Sequence, residues 1–255
     1  MDVIAWFALP SACRVDVPMK KISLKQLEGI TGSEAKLLDG TAVQSIRIVG
    51  VVSKAQANVE PVQTDDRSFV EIDFIQVLLD GPGYAKLYRP IAGLLHKLIP
   101  HHSVVITQSN EEPLAHLSLA TKLINRNDKR LRVVQEHVVS DAMTASVPEA
   151  VRQALAFSKA DKTNLEHCYR YYLNVLQSYN LVALTEQFKV RPYVQTQAMI
   201  LAREEIQQYE SQINQLKKEL KQAQMREKVQ LNTEIHALRQ RINTLKDQLY
   251  ENGEN

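Results

Sequence analysis

Apolar residues repeat with two different periods along this chain. In the front half they come in short β-branched runs. Ser45 to Ser53 (SIRIVGVVS) predicts a strand on that ground. Phe69 to Asp80 (FVEIDFIQVLLD) is the strongest strand signal. Val70, Ile72 and Phe74 alternate with Glu71 and Asp73, and then the phase inverts, with Ile75, Val77 and Leu79 apolar. Such an inversion requires a bulge or burial of both faces. Ser103 to Thr107 reads as a buried strand. Leu114 to Leu123 sets Leu117 and Leu119 against His116 and Ser118, and Arg130 to Val139 is the last strand. Between these lie helical signals: a short helix with Ser23 as N-cap and Gln26 in the capping-box position, one from Ser33 to Asp39 stopped by Gly40, and one from Arg89 to Ile99 with Pro90 at the first helical position. Gly81-Pro82-Gly83 reads as a turn and 55–67 as a polar loop.

The back half carries the helical period. Pro148 opens a helix to about Ser158. Thr163 and Glu166 form a capping box for a second helix to about Tyr179, with Leu165, Tyr169, Tyr172, Leu173, Leu176 and Tyr179 along one side. Residues 193–250 contain neither glycine nor proline. The composition shifts near 141–144, which divides the chain into an α+β region (1–145), a helical segment (146–190) and a coiled-coil helix or helical hairpin (191–255). The predicted fold class is α+β, a mostly antiparallel sheet with flanking helices, followed by a helical extension and a C-terminal coiled coil.

In that last segment Ile206, Tyr209, Ile213, Leu216, Leu220 and Ala223 recur at steps of three and four, as do Ile235, Leu238, Ile242, Leu245 and Leu249. The two runs are out of register by one residue, so the seam breaks at about 224–230. One straight helix with a local skip and a helical hairpin both fit. The absence of Gly, Pro or an Asp/Asn cluster at the break favours the straight helix, whose apolar stripe would need a second chain. Tyr209 and the Ile and Leu positions from Ile206 to Leu249 are therefore the expected partner-binding set.

Composition narrows the possibilities. The 255 residues are 44% hydrophobic and 24% charged, which fits a globular chain able to bury a core, and the net charge of +2 is too small to argue for nucleic acid by itself. Two distant cysteines, Cys13 and Cys168, exclude a disulfide framework and suggest a reducing cytosol. The apolar start lacks a basic region, so no secretory signal is expected, and no apolar run reaches membrane-spanning length.

Candidate chemistry is sparse. Glu71 and Asp73, two apart on a strand, share one face, as carboxylates that hold Mg²⁺ in metal-dependent nucleases do. No lysine follows on that strand, and the plainer reading is the outward face of a half-exposed strand. His101-His102 is a turn pair, and the histidines lack metal-ligand spacing. Cys168 and His167 are helix neighbours and do not face each other. No cofactor fingerprint or metal site is expected, and a binding role is preferred over an enzyme. Basic residues gather at Lys20-Lys21, at Lys122, Arg126, Lys129, Arg130 and Arg132 on a turn that could meet phosphates, and at Lys217, Lys218, Lys221, Arg226 and Lys228, partly balanced by Glu219 and Glu227.

The order of several elements resembles an uncharacterised bacterial family of unknown function. They are Val17-Pro18-Met19-Lys20-Lys21, the strand Val70-Glu71-Ile72-Asp73-Phe74-Ile75, the helix end Lys97-Leu98-Ile99-Pro100 with the apolar Val104-Val105-Ile106, and Gln224-Met225-Arg226-Glu227-Lys228-Val229-Gln230-Leu231-Asn232 before the closing Glu/Lys-rich segment. Met19 interrupts the usual Pro-Lys-Lys, and His101 stands where many members have an aromatic. Genes of this family lie beside Swi/Snf-type helicases and DNA methyltransferases in restriction or phage-defence clusters. The resemblance therefore implies a cytoplasmic accessory subunit of a DNA-acting defence or restriction-modification complex, partnered with a helicase, a methyltransferase or itself. A metal-dependent nuclease using Glu71 and Asp73, and a DNA-binding module using Arg126 to Arg132, are the alternatives.

Overall fold

The computed structural model describes residues 1–129 and 131–254. The chain forms two compact units, Met1–Tyr179 and Asn180–Asn255. No helix among the described residues is long and apolar enough to cross a membrane.

The first unit is built on a six-stranded sheet. In chain order its elements are α1 (Val3–Trp6), β1 (Arg14–Pro18), α2 (Lys21–Lys25), α3 (Gly32–Asp39), β2 (Val43–Ser53), α4 (Lys54–Ala57), the two-residue strands β3 (Val62–Gln63) and β4 (Ser68–Phe69), β5 (Glu71–Leu79), α5 (Gly81–Leu98), β6 (His102–Ser109), β7 (Ala115–Ile124), β8 (Arg132–Val139), α6 (Glu149–Leu155) and α7 (Leu165–Asn180). The sheet order is β1-β2-β5-β6-β7-β8, and β3 pairs separately with β4. Every sheet pair is antiparallel except β5 with β6. Adjacent parallel strands need a long crossover, and α5 is that crossover. The fold class is the expected mostly antiparallel α+β sheet with flanking helices.

Both sheet faces are covered. On one, Ile46, Ile75, Val77, Leu79 and Val105 pack with Ile91, Leu94 and Leu95 of α5 and with Leu24 and Leu38 of the small helices α2 and α3. On the other, Phe74 meets Phe7 at 5.0 Å and Tyr172 of α7 at 5.9 Å, ring centre to ring centre, both edge-on. This explains the apparent phase inversion in β5. The strand is regular and buried on both faces, while the two register irregularities lie opposite it in β2, between Val43 and Ser45 and between Ile48 and Gly50. Asp73 therefore belongs to the same face as Ile75 and Val77, beneath α5. It is 4% exposed, not part of a solvated strand face.

Three local readings change for identifiable reasons. First, α5 begins at Gly81, eight residues before the expected start. Asp80 caps it, accepting the Gly83 N–H at 2.8 Å, and Pro82 occupies a first-turn position where its missing donor does no harm. A side chain at Gly83 would collide with Ala42 at 2.7 Å, so glycine is required by close approach. Pro90 then sits inside the helix on its exposed side, where the carbonyl it leaves free can reach water. Second, the complete capping box is at Thr31 and Glu34, at the start of α3, and Ser23 lies inside α2, whose N-cap is Lys20. Third, α7 is capped by Asn164, whose side-chain oxygen accepts the His167 N–H at 2.9 Å, in place of the Thr163/Glu166 box. Glu166 instead bridges Arg67 and Arg170. The helices α6 and α7, set apart from the front half by composition, belong to the first compact unit.

The second unit contains α8 (Val182–Thr185), α9 (Tyr193–Leu220) and α10 (Met225–Glu254). α9 and α10 form a helical hairpin, turning at 221–224, instead of the favoured straight helix. Ile206 and Ile213 of α9 and Ile235, Leu238, Ile242 and Leu249 of α10 are buried in one cluster with Leu181 and Met199, and Tyr209, Leu216 and Leu245 pack against it. Burying the six Ile and Leu side chains contributes roughly 1.5–3 kcal/mol each, whereas interrupting a helix over four ordinary residues forgoes well under 1 kcal/mol apiece. Burial wins, and no glycine is needed at an exposed turn. The one-residue register break, awkward in a continuous seam, has no consequence once the two runs face each other.

Candidate functional site

The polar residues of β7 form a row beneath α5. His116 and Ser118 alternate with the buried Leu117 and Leu119, which face the other way. The alternation that suggests a half-exposed strand is instead sealed on both sides. Each polar side chain finds a partner within the unit. Tyr84 of α5 lies 2.8 Å from His116 Nδ1 and donates to the Thr107 carbonyl at 3.1 Å, while Tyr88 stacks on the His116 ring. Ser118 Oγ lies 2.9 Å from His96 Nε2 and 2.7 Å from His137 Nε2, so one hydroxyl links two imidazoles. Burial lowers the pKa of all three histidines, His116 to about 4 and His96 well below its usual value, which keeps them neutral and fit to share protons with hydroxyls.

At the far end of the row the sheet splays. The β6–β7 ladder runs only from Val105↔Ser118 to Gln108↔Ala115. Beyond it, two side chains fill the gap from opposite faces. From α7, the Tyr169 hydroxyl accepts the Ala120 N–H at 2.8 Å and lies 2.9 Å from the Ala120 carbonyl and 3.1 Å from the Ser103 carbonyl. From β7, the Lys122 ammonium donates to the carbonyls of Ile99 at 2.9 Å and His101 at 2.6 Å. It thus caps the C-terminal end of α5, where a cation also meets the negative end of the helix dipole. Replacing Tyr169 with Phe would leave several of these backbone groups without their partner at a fully buried position. The expected loss in unfolding free energy is about 2–4 kcal/mol, read from urea denaturation. A loss below about 0.5 kcal/mol would mean the splay is held by other contacts.

Lys122 is 2% exposed and shares its interior with Asp73. Burial, reinforced by repulsion from Glu71 and opposed by attraction to Lys122, raises the Asp73 carboxyl to about 7. Burial likewise lowers Lys122 to about 7 against the attraction of Asp73, with Arg132 adding to the fall. Glu71 and His101 form the wet edge of the cluster, 3.3 Å apart and each about one-third exposed. Opposite, on the α7 face, His102 stacks on Phe69 at 3.8 Å and is lowered to about 3, chiefly by burial. Asp73 and Lys122 thus influence each other's ionisation through the interior, while the ammonium's hydrogen bonds go to the Ile99 and His101 carbonyls. Among the described residues, no three His, Cys, Asp or Glu side chains converge as a metal site.

The sequence-proposed residues fall in three places. Glu71 and Asp73 come together as expected, but Asp73 is beneath a helix. The lysine absent from their strand arrives from β7: Lys122 is an interior cap and not part of an exposed basic turn. On that turn, Arg126 and Lys129 line an open pocket of about 380 Å³ together with Asp65 and Asp66, so carboxylates face these cations. Arg132 spends its guanidinium on the carbonyls of Lys129 and Leu131 at 2.8 and 3.1 Å. Arg130 lies outside the described residues. The ten seam residues belong to the hairpin, nine of them within or against its core, and Leu220 is half-buried near the turn. Cys168 is fully buried with its thiol raised to about 12, while His167 is exposed and pairs with Asp161 at 3.2 Å. The His96–Ser118–His137 link was not legible in the sequence, though a histidine among the apolar positions of α5 was its visible trace.

These features define an α+β protein with a sealed polar row under one crossover helix, followed by a self-closed helical hairpin. The chain belongs to the family described as a domain of unknown function (DUF4391), which matches residues 7–242. The match begins at Phe7 and ends within α10, so the hairpin is part of the family's architecture. No curated protein and no solved structure matches the chain.

Proposed function

We propose that this chain is an accessory subunit that works by binding, in a bacterial complex acting on DNA of the restriction or phage-defence kind. One observation carries this reading. The hairpin has its own closed core, yet it keeps large apolar side chains on its outside. Val194 is 79% exposed and Leu201 65%, two helical turns apart on one face of α9, with Tyr193 beside them at 42%. Such positions on a Glu/Gln/Lys-rich helix gain nothing from the hairpin fold, and large apolar side chains left in water on one side of a helix favour a protein contact there. The seam residues from Ile206 to Leu249 are occupied within the chain, so the partner surface moves to this outer face. The DNA-acting context rests on the family resemblance. The buried state of Asp73 and the acidic neighbours of Arg126 and Lys129 give the nuclease and basic-turn readings less support.

The test is capture of tagged full-length chain from its native host, in nuclease-treated lysate, beside a Val194→Glu/Leu201→Glu variant. A DNA helicase or DNA methyltransferase recovered with the wild type and lost with the variant is the expected result. Recovery of neither enzyme, or undiminished recovery with the variant, would overturn the proposal.

A further inference from the structure

We infer that the tip of the hairpin is a contact surface for the phosphodiester backbone of a nucleic-acid duplex, an inference that deepens the preceding reading and rests on it. The turn at 221–224 brings the third basic group of the sequence together in space. Lys217 and Lys218 lie in the last turn of α9, Lys221 at its cap, and Arg226 and Lys228 at the start of α10. Lys217, Lys218, Lys221 and Arg226 are exposed and Lys228 is half-buried. Within 217–228 the acidic residues are Glu219 and Glu227, Glu219 accepting a hydrogen bond from Gln215 at 3.2 Å, and Glu210 lines a pocket with Lys217. The segment 217–228 thus carries a net charge of +3, against +2 for the whole chain. The rest of α9 and α10 is net acidic, with Arg203, Arg239, Arg241 and Lys246 against Glu204, Glu205, Glu210, Glu234, Asp247, Glu251 and Glu254, so the positive charge is confined to the tip.

Helix stability accounts for part of this pattern only. Lysines in the last turn of α9 suit the negative end of its dipole. Arg226 and Lys228 stand at the positive end of α10, where a cation is unfavourable by roughly 0.3–1 kcal/mol. Cations placed against a local rule point to a demand from outside the fold. Both helices contribute cations at their joined ends, so the tip suits a polyanion. A duplex presents one phosphate charge per about 1.7 Å of its axis. The exposed apolar side chains at the tip are Met225 and Val229, without an aromatic residue, which is a poor match to a bilayer interface.

The experiment is fluorescence anisotropy of a labelled 30-base-pair DNA duplex with the full-length protein, at salt from about 50 to 200 mM. With three to five phosphates neutralised, log K should fall with log salt with a slope of roughly −3 to −4. The variants K217E/K218E/K221E/R226E and K217Q/K218Q/K221Q/R226Q, each checked for wild-type helix content by circular dichroism, should weaken binding at 50 mM salt by at least about 100-fold and about 10-fold respectively. Arg126→Glu/Lys129→Glu should leave it unchanged. Absence of wild-type binding at 50 mM, a slope near zero, or full binding by the folded tip variants would overturn the inference. So would tip-dependent binding to phosphatidylserine vesicles with none to the duplex. Capture of the helicase or methyltransferase by the tip variants separates the two readings: if it persists while the duplex is not bound, only this inference falls.

Discussion

Lys122→Met is expected to lower the unfolding free energy by about 3 kcal/mol at pH 7. The substitution keeps the stem and removes the ammonium, so the Ile99 and His101 carbonyls lose their donor and Asp73 loses its counter-charge. Leaving a buried acceptor without its donor typically costs about 1–3 kcal/mol, two carbonyls are affected here, and protonation of Asp73 relieves the loss of its counter-charge. The double variant Asp73→Asn/Lys122→Met should therefore recover at least 1 kcal/mol over the single one, giving a coupling free energy in a double-mutant cycle. The pH profile provides a second check. Asp73 is raised from its usual range to about 7, so the folded protein holds a proton that the unfolded chain has lost, and stability falls as pH rises from about 4 to 7. Lys122 is lowered to about 7, so the unfolded chain holds the extra proton above that point, and stability rises from about 7 to 10.5. The wild type should have a stability minimum near neutrality with limbs of roughly 2–4 kcal/mol. Asp73→Asn removes the acidic limb and Lys122→Met the alkaline one. Additive single substitutions, or a flat profile in the wild type, would show that the two groups do not interact.

How far the sequence speaks for itself depends on whether a signal is local. Strand positions were legible because β-branched composition and turn chemistry act over a few residues. So was the α+β class, which follows from the order of elements. The placement of Glu71 and Asp73 was not. A polar residue at every second position looks the same whether the polar face meets water or a helix contributed by a later stretch of chain, and here α5, beginning eight residues after Asp73, covers it. The same ambiguity hid the row His116, Ser118 and Lys122. Its polar partners come from α5 and β8 and from the chain leading into β6, so no spacing in β7 could announce them. Lys122 is close in sequence to Arg126 and Lys129, yet it lies within β7 on the face of His116 and Ser118, while those two lie beyond the strand's end at Ile124. Proline and glycine misled in the other direction. The Gly81-Pro82-Gly83 triplet reads as a break, but with Asp80 as cap it becomes the first turn of the longest helix in its unit.

The interior row and the hairpin divide the labour of the chain. Within the first unit, polar groups that would otherwise be solvated fasten the flanking helices to the splayed end of the sheet, α7 through Tyr169 on one face and α5 through Lys122 on the other. That arrangement fixes a strand gap without relying on water. In the second unit the arrangement is reversed, with an apolar seam inside and Val194 and Leu201 exposed outside.

Leu238→Lys should melt the hairpin while the α+β unit stays folded. Leu238 is 7% exposed at the middle of the seam, and lysine there removes roughly 1.5–3 kcal/mol of apolar burial and adds the penalty of a charge facing Ile and Leu. The hairpin has a single seam and no second core to absorb that loss, and most helical stability in proteins comes from packing of an amphipathic face. Circular dichroism should lose the helical signal of α9 and α10, while tyrosine fluorescence from the buried Tyr169 and Tyr172 remains native. The hairpin also makes a prediction that separates it from a straight helix paired with a second chain. Its melting temperature should not change between about 1 and 100 μM protein, because the seam closes within one molecule, whereas a dimer would gain stability by mass action. Ala223→Gly makes the contrast sharper: in an exposed turn it should change stability by a few tenths of a kcal/mol, and in the middle of a continuous helix by about 1 kcal/mol. A concentration-dependent melt together with a full-size glycine penalty would mean that the two runs of apolar residues pair between chains.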